Sequence, residues 1–287
     1  MQLNNAFSGS LLAIMATLIV VFQSCRPKDI PLEVEQAETK LVISTQYLPT
    51  IGLAVWVTKS FSALENRNLS GVENEGIESI ENLLVSDAEV NLTYNGKTLR
   101  LTSLGQGLYG TIQNPQNISG EMVLNVYDPT SGLSAKAIAS PMPIVQFKDV
   151  LATRNDIGEL SSITVDYSID DPEGKNYYLV NFYSEKEDTK EVFVDPSGFS
   201  VLNTYSVVFT DEDFTEGTVD LPGWKSDTLG VTVSNISEEY YAYLFSMERA
   251  ANSIPFLSEP VSVRGNVEGG YGFFAAHFPD IRLFTNL

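Results

Sequence analysis

The chain has 287 residues, 17 basic against 37 acidic, one His and one Cys, for a formal net charge of −20 at pH 7. Acids outnumber bases more than two to one, which excludes the clustered Lys and Arg that a nucleic-acid backbone needs; a single Cys excludes a disulfide framework and any thiolate metal cluster. With 15 Phe, 13 Tyr and only 19% charged residues, the composition is that of a folded, acidic, β-rich protein, and it names no reaction.

No Asp, Glu, Lys or Arg precedes Cys25, so the net charge falls on residues 26–287. Leu11–Phe22 (LLAIMATLIVVF) is an apolar run of the kind found in export signals, and the only Cys lies three residues beyond it. Phe22-Gln23-Ser24-Cys25 looks like the lipobox of bacterial lipoproteins, whose Cys receives a diacylglyceryl thioether and an N-terminal acyl chain. Phe22 stands where Leu is usual, Gln23 where a small residue is usual, and no base precedes the run. Two other readings stay open: a plain cleaved signal with an incidental Cys, and a retained helix, since about 20 apolar residues span a bilayer. Asn4, Asn5, Ser8, Gly9 and Ser10 count against the helix. The expected division is a signal peptide at 1–24 and a tether at 25–40, lipidated at Cys25.

From Leu41 the pattern is β. Leu41–Ile43 and Leu53–Val57 are short apolar runs rich in β-branched residues, separated by Pro49 and Gly52. The acidic stretch Ala63–Leu84 interrupts them, with Ile77, Ile80 and Leu84 at helical spacing. Val90, Leu92 and Tyr94 then alternate into Asn95-Gly96, and Leu99 and Leu101 alternate out, which predicts a hairpin on a type I′ turn. Tyr109 follows Gly105 and Gly107; Met122–Tyr127 is expected to pair with Leu133–Ile138 across Asp128–Gly132. Six or seven strands suggest a small sandwich, and Pro141 and Pro143 mark its boundary.

The second half repeats the class. Ile163, Val165, Tyr167 and Ile169 lead into Asp170–Gly174, and Tyr177–Tyr183 leads out, which reads as a hairpin with a long polar turn. Further apolar runs are Glu191–Val194, Tyr205–Thr210, Gly230–Val233, Val261–Val263 and Phe273–Phe278. Ser237-Glu238-Glu239 opens a helix as cap and acidic first turn, with Tyr240, Leu244, Met247 and Ala251 on one face; Asn252 and Pro255 end it. The expected fold is mostly β: two antiparallel β-sandwich-like lobes, 41–141 and 142–287, with one or two short helices after a lipoprotein signal.

Several motifs in order carry a resemblance. They are Cys25, then Tyr94-Asn95-Gly96 and Gly107-Leu108-Tyr109, then Asp171-Pro172-Glu173-Gly174-Lys175-Asn176-Tyr177-Tyr178. Phe209–Gly217, Ile236–Leu244 and the closing Gly265-Asn266-Val267-Glu268-Gly269-Gly270-Tyr271-Gly272-Phe273-Phe274 complete the order. Over nearly the whole mature chain this resembles the lipoproteins known as domain of unknown function forty-two forty-nine. The resemblance implies an outer-membrane, surface-facing lipoprotein of Gram-negative bacteria, often encoded beside TonB-dependent transporters, and implies no known reaction. The insert 63–84 looks longer than the family pattern, so no site near it is carried over.

Candidate chemistry is sparse. A Ser or Cys hydrolase needs a base beside its nucleophile, and the only His is His277, in an apolar run and expected to be structural. One His and no free Cys leave zinc only carboxylates. A glycosidase needs two carboxylates at a set separation, which sequence does not supply. Asp170–Gly174 and Asp211-Glu212-Asp213 are the densest acid clusters; calcium is weighed there against ordinary turn chemistry, which is preferred. Trp56 reads as a core residue, and Trp224, in a loop, as a packed anchor before a ligand-stacking one. The expectation is a protein with no catalytic residue, cofactor or metal, accessory to an outer-membrane barrel of TonB-dependent type. It would be held to lipid by acylated Cys25 and face the cell exterior. Glycan or peptide capture is the alternative, an unrecognised hydrolase the third.

Overall fold

Strands form here where β-branched and aromatic residues alternate with polar ones, and the tight turns fall on residues that accept positive φ. Asn95 and Gly96 (φ 49° and 71°) make the expected type I′ turn, and Gln106-Gly107 (51° and 71°) makes a second that local residue types do not single out. The computed structural model describes residues 38–48, 52–60, 82–111, 118–157, 160–184, 205–210, 216–252 and 261–287. Cys25, the run 191–194, Asp211–Asp213 and all but the last residues of the insert 63–84 lie outside these. Leu84 itself bridges to Thr58 as an isolated β-partner.

The chain runs through β1 (Leu41–Leu48), β2 (Gly52–Lys59), β3 (Glu89–Tyr94), β4 (Lys97–Arg100), β5 (Thr102–Gly105), β6 (Leu108–Thr111), β7 (Met122–Tyr127) and β8 (Ser134–Ala139). The strand-free residues 140–146, with Pro141 and Pro143, lead to β9 (Phe147–Ile157), β10 (Leu160–Ile169), β11 (Asn176–Ser184), β12 (Tyr205–Thr210), β13 (Glu216–Pro222) and β14 (Thr228–Asn235). The helix α1 (Glu238–Ala251) is the one helix among the described residues, and β15 (Val267–Glu268), β16 (Gly270–Phe273) and β17 (Asp280–Thr285) close the chain. The protein is mostly β, as expected.

Four sheets make two sandwiches. The first packs β16-β1-β2-β6-β5 against β15-β8-β7-β3-β4; the second packs β13-β10-β9 against β12-β11-β14-β17. Leu41, Ile43, Leu53, Val55 and Val57 meet Val90, Leu92, Met122, Leu124 and Val126 in the first core. Ile163, Val165, Tyr167 and Ile169 meet Tyr178, Val180, Phe182, Leu229, Val231 and Val233 in the second. Residues 267–273 pair with β1 and β8, so the end of the chain completes both sheets of the first sandwich. Of the strand pairings, β1 with β16 is the parallel one.

The polar stretch 170–174 is not a hairpin turn. β10 pairs with β9 and β13, whereas β11 pairs with β12 and β14, so the link carries the chain from one sheet of the second sandwich to the other. Burial shows why. β10 buries alternate residues, but Tyr177–Tyr183 of β11 and Leu229–Asn235 of β14 are buried on both faces. Their sheet is a middle layer, covered on its far side by α1 and the first sandwich. Tyr183 there packs on Ala54 and Leu108, its hydroxyl donates to Tyr47 O at 3.2 Å, and Gln46 Nε2 donates to that hydroxyl at 3.1 Å.

Candidate functional site

The site is built where the two lobes meet. Residues 274–279 cross from β16 back to β17 without strand pairing, yet Phe274–His277 are buried. Side chains replace the missing ladder, because a buried backbone group without a partner is costly. Asn266 Oδ1 accepts from Phe274 N at 2.8 Å, and its Nδ2 donates to Phe274 O at 2.8 Å and Ile138 O at 3.2 Å. Thr45 Oγ1 accepts from Ala275 N at 3.0 Å and donates to Phe273 O at 3.3 Å. The glycines of the 265–272 motif allow the close approach: a Cβ on Gly272 (φ +101°) would lie 1.8 Å from Ile43 O.

This crossing forms one wall of a crevice of about 270 Å³. Ile138, Ser140 and Met142 line its rim from the first lobe, and Ser237, Glu239 and Tyr240 at the start of α1 line the other side. Ser237 caps the helix as expected, its hydroxyl accepting from Tyr240 N at 3.2 Å. His277 lies in the wall, 2% exposed. The Tyr47 and Tyr240 rings flank it, centroids 5.3 and 5.8 Å away. Desolvation pushes the imidazole down to about 4, so the ring is neutral at pH 7. Neither His277 Nδ1 nor the buried Tyr47 hydroxyl has a hydrogen-bond partner, and burial drives the Tyr47 hydroxyl above its ordinary range. Among the described residues no nucleophile hydrogen-bonds to His277.

The acidic link at 170–174 is closed by its own side chains. Asn176 Nδ2 lies 3.0 Å from Asp171 Oδ1, 2.7 Å from Pro172 O and 3.1 Å from Gly174 O; the Tyr178 hydroxyl also donates to Asp171 Oδ1. Asp171 Oδ1, Pro172 O and Gly174 O face an amide nitrogen, while Asp171 Oδ2 is buried without a hydrogen-bond partner. Among the described residues no three His, Cys, Asp or Glu side chains gather as a metal site.

The predicted helix face is only half used. Tyr240 and Tyr243 pack on Phe273, with centroids 5.0 and 5.1 Å away, and Leu244 is half-buried. Met247 and Ala251, expected on the same buried face, are exposed. On the adjoining side Tyr177, Tyr241 and Phe245 form an aromatic row, with centroid steps of 4.9 and 6.4 Å, that ends in Phe245 at 51% exposure.

The tryptophans are structural. Trp56 is half-buried at the lobe interface beside Ala54, Leu108 and Tyr183, and Trp224 packs on the second core while its Nε1 donates to Thr228 O at 3.3 Å. Of the aromatic C-terminal residues, Phe274 enters the first core, Phe273 packs under α1, Phe278 and Phe284 are half-buried, and Tyr271 is exposed. Among the described residues no helix is long and apolar enough to cross a membrane. Neither the crevice nor the staple Asn266 is legible in the sequence. The one signal present there is a polar Asn inside a glycine-rich motif.

No curated protein matches the sequence. The family model described as a domain of unknown function, DUF4249, matches residues 28–278, which takes in the first sandwich, the second apart from β17, and the glycine motif. By that match the chain belongs to the DUF4249 family.

Proposed function

We propose that this protein is a non-catalytic lipoprotein subunit, anchored to the outer membrane through acylated Cys25, facing outward and docked on a barrel of TonB-dependent type. The observation that carries the docking is the outer half of α1. Its first two turns are fixed by Tyr240 and Tyr243, while Phe245 and Met247 stand 51% and 44% exposed. Exposed aromatic and Met side chains at the end of a packed row suit a buried hot spot in a protein interface. The apolar run Leu11–Phe22 and Cys25 support the anchor, since acyl chains hold a protein against the bilayer at about 0.8 kcal/mol per buried CH₂. Such confinement raises the effective concentration of any membrane partner. Two measurements test the reading. Cys25→Ser should abolish metabolic fatty-acid labelling and release the protein from membranes; unchanged labelling would end the lipoprotein reading. Affinity purification in mild detergent with mass spectrometry should recover a stoichiometric integral barrel, and recovery of the protein alone would contradict the docking.

A further inference from the structure

The sheet β15-β8-β7-β3-β4 turns one face to the first core and leaves the other open. Strand register sets the side chains of that outer face in rows. Glu89, Tyr127 and Ser134 stand abreast on β3, β7 and β8, and Asn91, Asn125, Lys136 and Glu268 stand abreast from β3 to β15. The two rows line a shallow groove of about 540 Å³. Its contacts are accessible: Tyr127 is 44% exposed, Asn125, Lys136 and Glu268 are exposed, and Asn91 is half-buried. The side chains of Asn91, Asn125 and Lys136 make no hydrogen bond or ion pair among the described residues. Charge narrows the partner. Acids outnumber bases 37 to 17 in the whole chain, but here Glu89 and Glu268 are matched by Lys136 and by Arg100, which pairs Glu89 at 3.7 Å. An anion is repelled by the net charge of −20, and a cation gains nothing here that the rest of an acidic surface does not offer better.

The kind of contact narrows it further. An added peptide strand needs the free backbone groups of a sheet edge, whereas a sheet face offers side chains alone. An apolar partner would meet one large apolar side chain in the groove, Tyr127, among polar ones. Amides that donate and accept, beside an exposed ring, suit the hydroxyl groups and the carbon face of a sugar. The groove crosses four strands, each about 4.7–4.9 Å from the next, which gives room for a chain of rings. We propose that this outer face binds a short, uncharged oligosaccharide, stacked on Tyr127 and hydrogen-bonded by Asn91, Asn125 and Lys136. The inference stands apart from barrel docking, which rests on α1, and survives its failure.

Isothermal titration calorimetry tests it on the mature chain, with its anchor in a detergent that carries no sugar headgroup. The probes at pH 7 are maltotriose, cellotriose, mannotriose and xylotriose, with trigalacturonate and a glucosamine trimer in parallel. At least one neutral probe should bind saturably, with a Kd in the millimolar range or tighter. The two charged probes should bind about tenfold more weakly or worse. Tyr127→Ala and Asn125→Ala should each weaken the neutral probe by about tenfold while far-UV circular dichroism stays that of the parent. Leu151→Ala, at a position 59% exposed on β9 of the second sandwich, should leave binding unchanged. No saturable binding of any neutral probe, equal or tighter binding of a charged one, or undiminished binding in both groove variants would overturn the proposal. So would a dimer in sedimentation that Tyr127→Ala dissolves, since the face would then belong to a second copy of the chain.

Discussion

The interior of the first sandwich and the seam between the lobes are both buried, yet they treat polar groups differently. In the sandwich Asp128, 1% exposed, receives Lys59 Nζ at 3.1 Å, the Ser131 hydroxyl at 2.5 Å and Thr130 N at 3.0 Å. The Tyr109 hydroxyl likewise donates to Val85 O at 2.8 Å and accepts from Ala88 N at 2.7 Å. At the seam His277 Nδ1 and the Tyr47 hydroxyl are left without partners, and so are Thr232 Oγ1 and Ser234 Oγ on the outer face of β14. A group orphaned by burial costs about 1–3 kcal/mol. The first region pairs these buried polar groups, whereas the second leaves several of its own unpaired. Four perturbations break or sharpen that contrast.

The largest effect is expected at Gly272. A valine there puts a Cβ into Ile43 O and forces a branched residue to φ +101°, so β16 must leave β1. Gly272→Val should cost about 4 kcal/mol or more, or abolish folding, read as the urea midpoint or the soluble yield. Next is Asn266→Ala. It removes two hydrogen bonds to Phe274 of the crossing segment and one to Ile138 O of β8, and should cost about 2–4 kcal/mol in the same assay. If the loss is under about 0.5 kcal/mol, the crossing is not stapled as described.

Acid acts on the seam through His277. His277 has a folded pKa depressed to about 4 from an ordinary 6.5. The unfolded chain therefore takes up the proton first as pH falls. The stability from keeping the ring neutral is complete above about pH 6.5 and is lost as pH drops toward 4. Between pH 7 and pH 5 the loss should be about 2 kcal/mol. His277→Gln or His277→Phe, whichever folds, should lack that part of the slope; an unchanged slope would mean the imidazole is solvated. The smallest effect concerns the link between sheets. Asn176→Asp replaces a donor facing three oxygens with a carboxylate and should cost about 1–3 kcal/mol. Calcium should restore part of it in the variant and leave the parent's Tm unmoved. A chelator-induced fall in the parent would show that the link already holds a cation.

Local rules make the sandwiches readable. Asn95-Gly96, the 122–139 hairpin and the Ser237 cap all follow from residue types within a few positions of each other. What stays hidden depends on contacts far apart in sequence. The link 170–174 has the composition of a hairpin turn, and only the double-sided burial of Tyr177–Tyr183 shows that it changes sheets. An unbroken apolar strand is the sign of a middle layer that the turn composition masks. The apolar run around His277 marks a buried residue, but no pattern near it reveals a crevice assembled from residues 138–142, 236–240 and 266–277. Helical periodicity puts Met247 on the buried face, whereas the helix docks only through its first two turns.

That undocked half of α1 is where the docking reading is most exposed to test. The double variant Phe245→Glu with Met247→Glu changes two exposed side chains, so Tm and the urea midpoint should stay within about 0.5 kcal/mol of the parent. Quantified co-purification from gently solubilised membranes is then the decisive measurement. Loss of a stoichiometric barrel from the folded, still lipidated variant is the predicted result; undiminished recovery of the barrel, or no barrel with either protein, would contradict it.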